Sequence, residues 1–294
     1  MKPPDPIVAD INISPSKAKD DCLSLRVNII ERRTDIAKPH VTRFVAMLVA
    51  SLLLFSEVPW ATYVIVTKQR KTIVIGADSK VSMAISGKSS IVCKILEVRR
   101  GVFFSAAGLY GQKSSGFDVS KMAGIAGTES IGVREISERF VSLVSRPLQE
   151  AAAAARKWNP EYFAEHFASP TLGVAFMGYE KGVPTIVVHY FLVSFDRQDK
   201  PRLRIRTNSC PGDCPRGDDG ILKIELGDSK PAQVFVANHP DFWNVGQIEG
   251  VRQLLNLTIN ALPDDVGPPD SILQITPTAS KWIDKGVCSD AGNK

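Results

Sequence analysis

The stretch TYVIVTKQRKTIVIGADS, residues 62–79, decides how this chain folds. Val, Ile and Thr alternate with period two on both sides of a polar break, which predicts an antiparallel hairpin. With Gln69 and Arg70 as the loop, Thr67 is expected opposite Thr72 and Thr62 opposite Ala77, which sets Asp78 beside Thr62. A second pair follows, SIVCKILEV (90–98) and GVFFSAAG (101–108). Pairing about Arg99–Gly101 brings Lys94 opposite the Ser105–Ala106 region, on a strand face shared with Val92 and Leu96, and leaves Gly108 just past the strand end. A lysine on an otherwise apolar face is either paired with an acid or used chemically.

Further along, Val133, Ile136, Phe140, Leu143 and Val144 recur at helical spacing, and Pro147 is expected to close that helix or to open another through AAAAARK. Strands are expected at TLGVAFMGY (171–179), VPTIVVHYFLVSF (183–195), PRLRIRT (201–207), ILKIEL (221–226) and QVFVA (233–237). A helix carrying Ile248, Val251, Leu254, Leu255, Ile259 and Leu262 follows, and SILQIT (271–276) is the expected last strand. Strands, helices, strands, helix and strand in that order predict an α+β chain of two sheets with helices outside them, not alternating βαβ units.

Upstream of the hairpin the pattern changes. Residues 1–40 are polar, carry scattered prolines and show no sustained period, so they form a disordered or untranslated leader. Within residues 41–61, FVAMLVASLLLF (44–55) is too short to span a bilayer, which takes roughly 20 residues, but suits a signal-peptide core. Arg43 gives the positive flank and Ala61 the small residue before a cut, so this segment reads as a signal peptide or a propeptide, and residues 62–294 as the domain it precedes.

The whole chain has 294 residues, 44% of them apolar, and a net charge of +5, enough for a full core. Without a basic block interleaved with aromatics, nucleic acid is not an expected partner. Five cysteines are too few for a disulfide scaffold. Cys210 and Cys214 share a loop, where an exported domain would form a local disulfide, and Cys288 could oxidise too. The four histidines have no Cys or carboxylate at ligand spacing, so no metal is assigned, and no cofactor is called for. His189 reads as a satisfied strand residue, and Trp158, Trp243 and Trp282 as packing anchors.

Four residues then fall into a pattern. Thr62, Asp78, Lys94 and Gly108, in the contexts ATYVIV, IGADSK, CKILEV and AAGLYG, are separated by 16, 16 and 14 positions. This constellation resembles the proteasome β-type branch of the N-terminal nucleophile (Ntn) hydrolases, most strongly over residues 62–110. The resemblance implies a four-layer αββα sandwich of two antiparallel sheets flanked by helices. It also implies amide or peptide hydrolysis through an acyl-enzyme on Thr62, activated by cleavage after Ala61. Lys94 would remain protonated beside the Thr62 oxygen, Asp78 would hold Lys94, and the Gly108 N–H would donate into an oxyanion hole. The chemistry favours this arrangement because an α-amine, at about 7.7–8.0, can take a proton near neutrality, whereas a free lysine at about 10.4 cannot.

The chain departs from the family at three points. Ala61 stands where glycine usually precedes the threonine, which opens the cut to a signal peptidase. No serine precedes the late helix in VANHPDFWNVGQIEG, and in LPDDVGPPD the family's aspartate corresponds to Asp264 while Gly267 takes a serine's place. The expected partners are a peptide or amide substrate, signal peptidase if the protein is exported, and further copies in a homo-oligomer. An exported (periplasmic or secreted) enzyme is the leading expectation. The alternatives are a cytoplasmic self-processing subunit and a catalytically inactive protein of the same fold used for assembly or binding.

Overall fold

The computed structural model describes residues 59–61, 63–83, 89–112, 115–167, 170–213 and 220–288. The leader, the apolar run 44–55, Thr62 and Cys214 lie outside the described residues. Strands β1 (Pro59–Ala61), β2 (Tyr63–Gln69), β3 (Thr72–Ala77), β4 (Lys80–Met83), β5 (Ser89–Ile91), β6 (Ile95–Arg99) and β7 (Val102–Leu109) come first, then the short β8 (Gly111–Gln112) and β9 (Phe117–Asp118). Helices α1 (Val119–Glu129), α2 (Val133–Trp158) and α3 (Pro160–Phe167) follow. Strands β10 (Leu172–Glu180), β11 (Val183–Phe195), β12 (Pro201–Cys210) and β13 (Leu222–Gly227) lead to α4 (Lys230–Asn238) and α5 (Gln247–Ala261), and β14 (Ser271–Ile275) and β15 (Ser280–Asp284) end the described chain.

This is the α+β order expected, with antiparallel pairing throughout. One sheet runs β12-β11-β10-β7-β1-β4-β5, with β6 also on β7, and the second runs β13-β2-β3-β14-β15. Alternation explains the packing, because successive residues of a strand face opposite sides. Val64, Val66, Ile73 and Ile75 of β2 and β3 share one apolar cluster with Phe103, Ala107, Ala175 and Val188 of the larger sheet. Their sequence neighbours Tyr63, Ile65 and Val74 pack instead on Val251, Leu254 and Leu255 of α5. On the larger sheet, Phe104, Phe176 and Phe191 meet Phe140 of α2, with ring centroids 5.2–6.2 Å from it.

Several local expectations are corrected. In the hairpin Thr67 pairs with Val74 and Val64 with Ala77, two places from the expected register, because the two-residue loop is Arg70–Lys71, entered at φ 50°. An even shift leaves every side chain on its expected face. Lys94 lies between β5 and β6, not within one continuous strand, and Gly108 lies inside β7, paired on both sides. Helix α2 runs unbroken through Pro147, because its apolar stripe continues from Val144 to Leu148, Ala151 and Ala155, all buried. QVFVA is helical, part of α4, whose Pro231 occupies the first turn, where a missing N–H costs nothing. Helices α1 and α3 and strand β15 were not anticipated. Among the described residues no helix is long and apolar enough to cross a membrane.

Candidate active site

The site is built where the chain changes sheets. Ala61 is the end of β1, paired with Gly108 of β7 on one side and Val81 of β4 on the other. Two residues later Tyr63 begins β2 of the second sheet, paired with Gly227. The chain therefore passes from one sheet to the other between Ala61 and Tyr63. The backbone of Asp78 closes onto this point, its N–H donating to the Tyr63 carbonyl at 3.2 Å.

Asp78 organises the surroundings. Its Oδ1 accepts from the Tyr63 N–H at 3.0 Å and from Lys94 Nζ at 2.7 Å. Its Oδ2 accepts from the N–H groups of Lys80 at 3.1 Å and Gly267 at 3.3 Å. Lys94 Nζ also donates to the Lys80 carbonyl at 2.5 Å. Both ionic side chains are fully buried. Burial holds the Lys94 ammonium below its ordinary value, and the adjacent Asp78 carboxylate, by charge and hydrogen bond, recovers only part of that loss. A buried pair survives only when its remaining hydrogen-bonding capacity is met, and these four donors to one carboxylate meet it. The Lys94 backbone is fixed as well, its carbonyl accepting from Ser105 Oγ at 2.8 Å, close to the expected cross-strand position.

Gly108 has φ +103°, and a Cβ there would lie 2.5 Å from the Thr171 carbonyl oxygen, so only glycine lets β7 pass this close to the β10 entry. Asp264 is exposed in a turn that is nonetheless joined to the site. Pro263 O accepts from Lys80 Nζ at 2.6 Å, and Gly267 O accepts from the Ser79 N–H at 3.1 Å. The Gly267 position is crowded: a Cβ would meet the Lys80 stem at 2.8 Å. The residue preceding α5, Gly246, has φ +92°, a conformation hostile to serine. Thus Gly108 pairs with Ala61, Asp78 binds Tyr63 and carries Lys94 with it, Asp264 borders the group through its loop, and Thr62 itself lies outside the described residues.

Some participants were missed by sequence reasoning. Ser79 is buried beside the acid, and its Oγ has no partner among the described residues. Lys80 contributes backbone groups to both charged residues, and only its position two after Asp78 could have hinted at this. Cys93, next to Lys94, forms a disulfide with Cys288 across 195 residues of sequence. Cys210 is disulfide-bonded as well. His189 is less satisfied than expected, since Nδ1 meets Thr207 Oγ1 at 2.8 Å but Nε2 has no partner among the described residues. Trp158 is 49% exposed, which does not suit the anchor role expected of it, while Trp243 and Trp282 pack against apolar clusters. Among the described residues no cluster of His, Cys, Asp or Glu could hold a metal ion.

No protein-family model matches the chain, and no curated protein matches its sequence.

Proposed function

We propose that this chain is an N-terminal threonine hydrolase of the Ntn kind, a four-layer αββα protein that cleaves amide or peptide bonds once the bond after Ala61 is cut. One observation carries the reading: the residues flanking position 62 are held by the groups the chemistry requires. Ala61 pairs with Gly108, and the Tyr63 N–H is bound by the same Asp78 oxygen that binds Lys94.

In the reaction the freed α-amine of Thr62 takes the proton of its own hydroxyl, and Oγ attacks the substrate carbonyl carbon. The buried Lys94 cation lowers the energy of the developing negative charge on Oγ, and the Gly108 N–H receives the oxyanion. The leaving amine departs with the proton held by the α-amine, and water then releases the acyl group. Both disulfides support export, because such bonds persist in oxidising compartments.

N-terminal sequencing of the purified protein tests the proposal: a mature chain starting at Thr62 is expected, and one starting elsewhere ends it. A Thr62→Ala chain should lose at least a thousandfold in amidase activity. It should remain processed if signal peptidase makes the cut, and unprocessed if the cut is autocatalytic. Glycine at 267 and 246 favours a second reading, a non-catalytic protein of this fold, and a mature chain bearing Thr62 but inert to a threonine-directed inhibitor would select it.

A further inference from the structure

Among the described residues strand β12 is one edge of the larger sheet, and its sequence from residue 202 is Arg-Leu-Arg-Ile-Arg. Leu203 and Ile205 pack with the α2 cluster. Arg202, Arg204 and Arg206 therefore share the opposite face, all three exposed, with the Arg206 guanidinium 6.0 Å from the Tyr190 ring centre. Arg202 has an acid, Asp196, at 3.2 Å, whereas no ion pair is made by Arg204 or Arg206 among the described residues.

The free edge of the strand can be assigned. Ser209 turns both its N–H and its C=O outward, to Asp213 Oδ2 and the Asp213 N–H. The β11–β12 register has no irregularity, so by antiparallel alternation Leu203, Ile205 and Thr207 also direct N–H and C=O outward. Among the described residues nothing hydrogen-bonds to these groups.

An open edge strand is ordinarily blunted by charge to prevent pairing with itself. Here the charges do more than exclude. A second β12 pairing antiparallel would set arginine against arginine, which repels. A strand with carboxylates at alternate positions would set one acid opposite each arginine, spaced by about 6.7 Å on both strands. Its intervening residues would fall on the side of Leu203 and Ile205 and would be apolar.

We propose that the β12 edge is a docking site for an extended polypeptide of alternating acidic and apolar residues, added as a further strand and read by Arg204 and Arg206. This proposal stands independently of the hydrolase reading.

The test uses the Thr62→Ala chain, so that no hydrolysis intervenes, and follows fluorescein-labelled peptides by anisotropy. A peptide repeating Glu-Val should bind at least tenfold more tightly than one of the same composition with its acids in a block. Arg204→Gln with Arg206→Gln should abolish that preference, while Arg146→Gln, an exposed arginine on α2, should leave it intact. Equal binding of the blocked peptide, a preference that survives in the double variant, or displacement by oligothymidylate at lower concentration than by the alternating peptide would each overturn the proposal.

Discussion

Asp78 shows how one side chain can define a site. Its carboxylate serves two backbone segments, one loop and one buried cation at once. Replacing it with Asn leaves Lys94 buried opposite a neutral group, and breaking a buried pair in this way costs roughly 3–5 kcal/mol. Urea unfolding of Asp78→Asn should show a loss of that order, along with loss of activity. His189 supplies a separate prediction. Burial lowers its imidazole to about 4 from the ordinary 6.5, so the unfolded chain binds a proton that the folded chain refuses between those values. The His189 contribution is therefore fully present above about pH 6.5 and is lost as pH drops towards 4, by about 3 kcal/mol in all. Midpoints measured across this window should decline in the parent and flatten in His189→Asn, which can keep the bond to Thr207.

Helix α2 is the element whose behaviour departs most from its own sequence. Pro147 removes a backbone donor and crowds the carbonyl of Leu143, a cost of about 3 kcal/mol in a helix interior, yet the helix continues. Burial of Val144, Leu148, Ala151, Ala152 and Ala155 on either side of it supplies the compensation. Pro147→Ala should thus raise stability, by about 1–3 kcal/mol in thermal or chemical unfolding, without moving the helix ends. The same competition marks the limit of what could be read in advance. The central strands were legible because alternation is a local signal, and β11 spans the very residues expected. QVFVA misled because four consecutive apolar residues behind one polar residue suit a strand as well as a short helix, and only packing of α4 decides between them. The hairpin register missed by two because its turn depends on a left-handed Arg70, for which the sequence carries no Gly or Asn signal. That Lys94 pairs with an acid was legible, because a lysine on an otherwise apolar face needs one. The four-donor carboxylate was not, since Gly267 reaches it from 189 positions away.

At the scale of the whole molecule, the Cys93–Cys288 bond ties the end of the described chain to the segment carrying Lys94. Cross-linking over so long a separation chiefly restricts the unfolded chain, and removing such a bond costs roughly 2–5 kcal/mol. Cys93→Ser with Cys288→Ser should show that loss, and reductant should lower the parent's denaturation midpoint while leaving the double variant's much less changed. The place of β1 has a further consequence. Among the described residues it alone joins β7 to the β4–β5 pair, so the larger sheet is continuous there only while Pro59–Ala61 stays in place. If cleavage after Ala61, as proposed, released that tripeptide, it would leave a trench one strand wide, with β7 and β4 about 9.6 Å apart as its banks. Each bank would then carry unmet backbone donors and acceptors, so whatever extended guest next filled the trench would be gripped along its main chain from left and right, whatever its side chains.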